Sequence, residues 1–205
     1  MRAYRTTLAE SDSAWARLVS DLVSPPVVWM LLGIAIAFRF AESGSQALLW
    51  VTIYVVLICV LPVIYIVWNV RRGKITDIHM KERRQRLRPF LFSIMCSALG
   101  WVVLTLMNTP QIISAFALFS LLQLGVLMVI TLVWQISIHA MSITGVVVAT
   151  GAIFGLPQAL VLVPLVPLVG MARIKLHRHT LSQVLAGTLV GALLPLLLFI
   201  LFVPN

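Results

Sequence analysis

The chain has 205 residues, of which 61% are hydrophobic and 10% are charged, with 15 Lys and Arg residues against 6 Asp and Glu residues. Charged residues make up about a quarter of an ordinary soluble domain. This composition therefore excludes a soluble domain and predicts an integral membrane protein. The last carboxylate side chain in the sequence belongs to Glu82. Chemistry that needs paired carboxylates, or a metal held by carboxylates, is therefore excluded from the rest of the chain.

Apolar segments of membrane-spanning character follow one another along the chain. A spanning helix needs about 20 mostly apolar residues, or fewer where the bilayer thins. Pro62 is expected to kink the second segment, and Gly155-Leu156-Pro157 separates the fifth segment from the sixth. We predict an all-α, polytopic transmembrane helical bundle of about seven spans, in one domain over residues 1–205, or of six spans if 139–171 is a single bent helix. The seven segments are 26–40, 47–68, 90–107, 112–134, 139–154, 158–171 and 183–202.

Almost every ionisable residue after Asp77 falls in one of three short patches, at 81–89, 137–139 and 173–179. Charge is costly in a membrane protein, so where it is concentrated it usually handles a charged ligand. One predicted helical hairpin separates each patch from the next, which places all three patches on the same side of the bilayer. Patches rich in Lys, Arg and His and poor in acids suit an anion, and a phosphate at the interface is the obvious one.

The side chains in these patches could form a phosphate clamp. Arg88 and Arg173 each offer a planar fork of donors, and Lys81 offers a flexible point charge. Ser137 can donate a hydroxyl, and a helix that begins at His139 directs free N–H groups to the same place. Of two histidines, one imidazole could attack phosphorus while the other protonates the departing oxygen.

The spacing Lys81-x6-Arg88-Pro89, then Ser137-x-His139, then Arg173-x5-His179 resembles the three-part signature of the type 2 phosphatidic acid phosphatase superfamily. The resemblance covers residues 70–190, which would form the phosphatase-like core. It implies that His179 is the nucleophile that forms a phosphohistidine and that His139 protonates the leaving group. It also implies that the phosphoryl oxygens are held by Lys81, Arg88, Ser137 and Arg173. Neither a metal nor another cofactor is expected.

The chain departs from the family signature at several positions. Ile136 and Ile138 replace the Pro and Gly of the middle motif, which makes the turn before His139 stiffer. Ala172 stands where the family has a serine before Arg173, which removes one hydroxyl.

Gln183 replaces the family's Asp four residues after His179, so the nucleophile lacks a carboxylate partner at this position. Its amide oxygen could still accept a hydrogen bond from the imidazole. Alternatively Asp77 or Glu82, the only acids near the patches, could reach the site and orient the histidine.

These observations favour a metal-independent lipid phosphatase or diphosphatase. Isoprenoid diphosphates, polyprenyl phosphates and phosphatidate are all compatible substrates. The alternative is a catalytically weakened relative that binds a lipid phosphate or acts as a scaffold. The expected partners are the lipid phosphate and the bilayer and do not include nucleic acid, because membrane topology explains the positive charge.

Seven spans would put 14 of the 15 Lys and Arg residues on one side of the membrane, with only Arg39 opposite. The positive-inside rule then places the site at the cytoplasmic face of what we expect to be a prokaryotic cell membrane, whereas many members of the family are believed to act on the outer face.

His177 and Arg178 have no position in the motif and are interpreted as surface residues. The basic residues interpreted as topological anchors are Arg71, Arg72, Lys74, Arg83, Arg84 and Arg86.

Overall fold

The computed structural model describes residues 13–78, 80 and 82–202, and all regular secondary structure in this part of the chain is helical. The all-helical prediction is therefore confirmed for the described residues. A π-helical segment covers Val55–Val60, and a short 3₁₀ helix covers Arg83–Arg86. The α-helices are α1 (Ala14–Leu22), α2 (Pro25–Phe40), α3 (Gly44–Tyr54), α4 (Leu61–Arg71), α5 (Leu87–Leu106), α6 (Gln111–Val133), α7 (Ile138–Phe154), α8 (Leu156–Leu162), α9 (Leu165–Lys175) and α10 (Leu181–Phe202).

Four helical stretches in the described part are long and apolar enough to cross a membrane. A fifth crossing results if α1 and α2, which meet at a bend of 41°, form one span. Helix α7 and residues 181–197 of α10 are apolar but shorter. The helices are thus compatible with an integral membrane protein, while seven crossings stay a prediction. The four long stretches are Gly44–Arg71, Arg83–Leu106, Gln111–Val133 and Leu156–Lys175.

The chain reverses direction at Gly155, between α7 and α8. Gly155 has φ 109° and ψ 163°, a conformation that is essentially restricted to glycine. A Cβ at Gly151 would lie 3.2 Å from Cβ of Ala159, although the two residues are eight positions apart. In a continuous helix that separation corresponds to about 12 Å along the axis. The segment 139–171 is therefore a helical hairpin and does not form a single bent helix.

Pro62 does not break the helix over Gly44–Arg71. Instead, the preceding residues Val55–Val60 adopt the wider π-helical geometry. A proline in a helix lacks the N–H that would bond four residues back, and its ring crowds that carbonyl group. A π-helical turn is one of the ways in which a helix accommodates such a defect.

The chain forms two compact units. Of the described residues, the first unit comprises 13–28 and 136–196, and the second comprises 29–78, 80, 82–135 and 197–202. In the first unit, α9 packs on both α1 and α7, and α7 packs on α8. In the second unit, α5 and α6 form the most extensive helix pair.

Helix α5 shows how the second unit distributes its side chains. The face that packs inside carries small and polar residues, including Ser93, Ser97 and Gly100. The opposite face is exposed and mostly apolar, which is the reverse of a helix on the surface of a soluble protein. Lipid is the medium in which this arrangement is favourable. The exposed apolar residues are Leu91, Met95, Leu99, Val102 and Leu106.

Helices α10 and α7 approach at backbone distance in the first unit. A Cβ at Gly187 would lie 2.5 Å from the carbonyl oxygen of Ser137. Four residues later, a Cβ at Gly191 would collide with the carbonyl oxygen of Met141. Glycines spaced by four residues form the close-packing motif of membrane helices, where no side chain separates the two backbones.

This contact predicts that Gly187→Ala destabilises the protein by about 1–3 kcal/mol, the usual cost of overpacking. The atom in the way is backbone, which cannot move as a flexible side chain would. Gly125→Ala is the matched control, because a Cβ at Gly125 in α6 meets nothing within 4 Å. The apparent melting temperature in detergent can be followed with a thiol-reactive dye that reports exposure of the buried Cys59 and Cys96. Equal melting temperatures for the two variants would contradict the packing argument.

Candidate functional site

Four of the predicted site residues are buried in the first unit: Ser137, His139, Arg173 and His179. Their exposed fractions are 0%, 5%, 2% and 6%. Polar side chains are rarely so deeply buried unless hydrogen bonds or charge partners stabilise them. The burial of these four polar side chains is therefore a specific feature of the first unit.

Hydrogen bonds connect these residues through three helix ends. At the end of α9, the carbonyl oxygen of Arg173 accepts from the backbone N–H of His179 at 3.4 Å. The His179 ring contacts Gln183 in the first turns of α10. The carbonyl oxygen of Gln183 in turn accepts from the backbone N–H of Ser137 at 3.0 Å, immediately before α7 begins. The second and third motifs thus form one connected structure within the first unit.

The amide of Gln183 determines which nitrogen of the His179 ring carries the proton. Nδ1 of His179 lies 3.1 Å from Oε1 of Gln183, and the same oxygen accepts from the backbone N–H of Thr180 at 3.1 Å. An amide oxygen only accepts hydrogen bonds, so Nδ1 must be the donor. In the neutral ring Nε2 then keeps its lone pair and can act as a nucleophile. The contact between Gln183 and the histidine is present, while its orienting role stays a prediction.

Ser137 is the N-cap of α7. Its Oγ accepts from the backbone N–H of Ala140 at 3.3 Å. This bond uses a lone pair of the oxygen, so the hydroxyl hydrogen is not consumed by it. His139 follows in the first turn of α7, where unpaired N–H groups and the helix dipole favour an anion. The hydroxyl of Ser142, one turn further, is fully buried and has no hydrogen-bond partner within the described part of the chain.

Arg173 lies in the last turn of α9 and contacts α1. Its Nη1 donates to Oγ of Ser20 at 3.4 Å, and Ser20 is also buried. Ser20 is a contact that the sequence analysis missed, since 153 residues separate it from Arg173. No local signal links the two positions. The close approach of α10 to the α7 backbone at Gly187 and Gly191 was also missed, although the four-residue spacing of these glycines is a recognisable motif.

The first motif belongs to the second unit, and there the interpretation of one arginine needs correction. We interpreted Arg86 as a topological anchor, but the structure buries it, and its Nε donates to the carbonyl oxygen of Met80 at 2.9 Å. The carboxylate of Asp77 interacts favourably with the same guanidinium group. Arg88, the predicted phosphate ligand, is exposed in the first turn of α5. Lys81 lies outside the described residues.

The segment before α5 is held by its own polar contacts. Oε1 of Gln85 accepts from the backbone N–H and the hydroxyl of Thr76, both at 3.0 Å. Nε2 of Gln85 donates to Oε2 of Glu82 at 3.0 Å. Glu82 and Asp77, the two acids predicted as alternative partners for His179, therefore both have contacts within the second unit. Their orienting roles stay predictions.

His177 is exposed, as expected for a residue outside the motif, and has a positive φ of 51°. Among the described residues there is no group of three or more His, Cys, Asp or Glu side chains that could hold a metal ion. Among the described residues of the first unit, the buried polar side chains are two imidazoles, one guanidinium group and several hydroxyls.

No protein-family model, curated protein or solved structure matches the chain. The relation to the type 2 phosphatidic acid phosphatases therefore depends on the three motifs and their spacing alone.

Proposed function

We propose that the protein is a divergent member of the type 2 phosphatidic acid phosphatase superfamily that hydrolyses a phosphate monoester or a diphosphate of a lipid. The observation that carries the proposal is the geometry at His179. Its ring is buried and held through Nδ1 by Gln183, which leaves the lone pair on Nε2. The same unit buries a second histidine, an arginine and a helix N-cap serine.

In the proposed first step, Nε2 of His179 attacks phosphorus and a P–N bond forms. The bond between phosphorus and the bridging oxygen of the lipid breaks, and protonated His139 gives its proton to that oxygen. The lipid alcohol leaves, or the lipid monophosphate if the substrate is a diphosphate. Water then attacks the phosphohistidine, His139 takes a proton from the water, and inorganic phosphate is released as the P–N bond breaks.

Positioning and charge stabilisation dominate phosphoryl transfer, and the proposed ligands supply both. Arg173 can offer two parallel donors to the phosphoryl oxygens, and Ser137 can offer its hydroxyl. The N-terminus of α7 adds backbone donors and a positive dipole end. Lys81 and Arg88 enter the proposal through the spacing of the first motif.

The tail of the substrate would remain in the bilayer, since the helices present broad apolar faces to their surroundings. Isoprenoid diphosphates, polyprenyl phosphates and phosphatidate share the required headgroup chemistry. We propose no cofactor, because the reaction needs only a nucleophile, an acid and a cationic cradle.

A second candidate function is favoured by one specific observation, the neutral amide at Gln183. A carboxylate would stabilise the imidazolium form of His179, and an amide cannot. Removal of the equivalent carboxylate from a hydrolytic triad lowers the rate by about 10⁴-fold. The protein would then bind a lipid phosphate with little turnover, as a sensor or scaffold.

We predict that the purified protein releases phosphate from at least one member of a panel of lipid phosphates, that chelators do not prevent this release, and that His179→Ala abolishes it. His177→Asn is the matched control, because His177 is exposed and asparagine tolerates its positive φ. Rapid acid-free quenching with a labelled substrate should also trap a phosphohistidine in the wild-type protein. Lipid binding without turnover would support the second candidate, and a requirement for a divalent metal would contradict the mechanism.

We predict that Gln183→Glu raises the turnover rate by about tenfold or more, since a carboxylate beside Nδ1 stabilises the positive charge that develops on the ring as Nε2 attacks. About 1.4 kcal/mol of such stabilisation corresponds to a tenfold change in rate. Glutamate has the length of glutamine, so the contact with Nδ1 can be kept. Gln183→Leu removes the contact and should lower the rate below that of the wild type. A Glu variant no faster than the wild type would show that the missing charge does not limit catalysis.

We also propose that the site faces the cytoplasm in a prokaryotic cell membrane, which is supported by the distribution of Lys and Arg under seven spans. In a variant without Cys59 and Cys96, Lys74→Cys should be protected from an impermeant maleimide in intact cells, and Asn205→Cys should be labelled. Lys74 is chosen because it is exposed, whereas the neighbouring Ile75 is buried. Labelling in the opposite sense, or of both positions, would refute this topology.

A further inference from the structure

Helix α1 has three distinct faces. Trp15, Leu18 and Leu22 share one face and are 40%, 59% and 62% exposed. Ala16 and Ser20 share a second face and are buried against the first unit. Arg17 and Asp21 lie on the third face and are exposed. At 100° per residue, these three sets occupy separate sectors of the helix.

The exposed apolar face suits the interface of a bilayer. A helix that carries Trp and Leu on one side and charged residues on another lies in the headgroup plane, with its apolar side buried about 5–10 Å. Trp15 is the residue type enriched at that depth, since its ring is amphipathic. Nine residues with two charges are too few and too polar to fill the hydrocarbon core alone.

The buried face of α1 lies on the helix that carries the site arginine. Helix α9 packs on α1, and Ala16, a small residue with no exposed surface, permits the close approach. One turn later, Oγ of Ser20 accepts from Nη1 of Arg173 at 3.4 Å, between two side chains that are 1% and 2% exposed. Inside a protein, a hydrogen bond to a charged group contributes more than one between neutral groups, and 3.4 Å is long for such a bond.

The family signature has a serine directly before the motif arginine, and this chain has Ala172. The structure supplies a hydroxyl to Arg173 from Ser20, which is far away in the sequence. Helix α1 carries both Ser20 and the exposed apolar face. The position of the Arg173 guanidinium group therefore depends on where α1 lies relative to the membrane.

We infer that α1 is seated at the bilayer interface by Trp15, Leu18 and Leu22, and that Ser20 on its opposite face positions Arg173 for a lipid phosphate. Ser20 is a positioning residue, since it acts through the arginine. The second part rests on the proposed function, because it takes Arg173 as a phosphate ligand. The first part does not depend on it.

The seating of α1 can be measured with nitroxide spin labels in vesicles of phosphatidylcholine and phosphatidylglycerol. In a background without Cys59 and Cys96, we expect a label at Leu18→Cys to collide with oxygen and to avoid a water-soluble nickel complex. A label at Arg17→Cys should collide with the nickel complex. Labels that both lie deep in the hydrocarbon would make α1 part of a crossing, and labels that are both in water would place it off the membrane. Either result overturns the inference.

The role of Ser20 can be measured as binding of inorganic phosphate, together with KM and kcat for a lipid phosphate. We expect Ser20→Ala to weaken phosphate binding and raise KM by about tenfold, with a smaller change in kcat. Ser20→Thr keeps the hydroxyl and should restore binding. Ser45→Ala, at an exposed position in the first turn of α3, is the control and should match the wild type.

The outcomes separate the inference from the proposed function. If the wild type binds phosphate and the Ser20→Ala variant binds it equally well, the positioning role is refuted and the proposed function stands. If Ser20→Ala weakens binding but Ser20→Thr does not restore it, the effect is structural and the positioning role is also refuted. A wild-type protein that neither binds phosphate nor turns over a lipid phosphate refutes the proposed function and, with it, the role of Ser20. The spin-label result then still decides where α1 lies.

Discussion

Hydrocarbon offers no partner for a hydrogen bond, and this constraint explains how the chain distributes its polar groups. Several hydroxyl groups inside the helices bond back to the carbonyl oxygen four residues earlier, as Ser93, Thr131 and Thr144 do. Most exposed positions on the long helices are apolar, while many small and polar residues face inward. An anion site in such a protein has to be built from groups that the fold itself buries, and the first unit buries two histidines and an arginine.

The sequence predicted the helices well because hydropathy and helix-breaking residues act locally. The predicted segment 112–134 lies within one residue of α6 at each end, and Gly155 separates α7 from α8 as expected. The number of spans is harder to predict. Helices α2 and α7 have 16 and 17 residues, and these lengths lie near the minimum for a crossing. Helix α1 was missed because its nine residues are amphipathic rather than uniformly apolar.

Contacts between distant segments could not be read from the sequence. Arg86 and Arg88 are the same residue type two positions apart, and only the folded segment before α5 decides that Arg86 is buried on Met80 while Arg88 is exposed. Ser20 and Arg173 likewise meet only in the folded chain. By contrast, the contact of His179 with Gln183 could be anticipated, because residues four apart are neighbours in the first turns of a helix.

Gly155 has a consequence for how the protein enters the membrane. Its backbone conformation is closed to other residue types, so the reversal between α7 and α8 is fixed by one position in the sequence. Helix α7 is short, and the helix that follows it, α8, folds back on it and places Ala159 against Gly151. We therefore expect the two helices to partition into the bilayer together during synthesis, as a hairpin in which the short α7 depends on the longer stretch Leu156–Lys175.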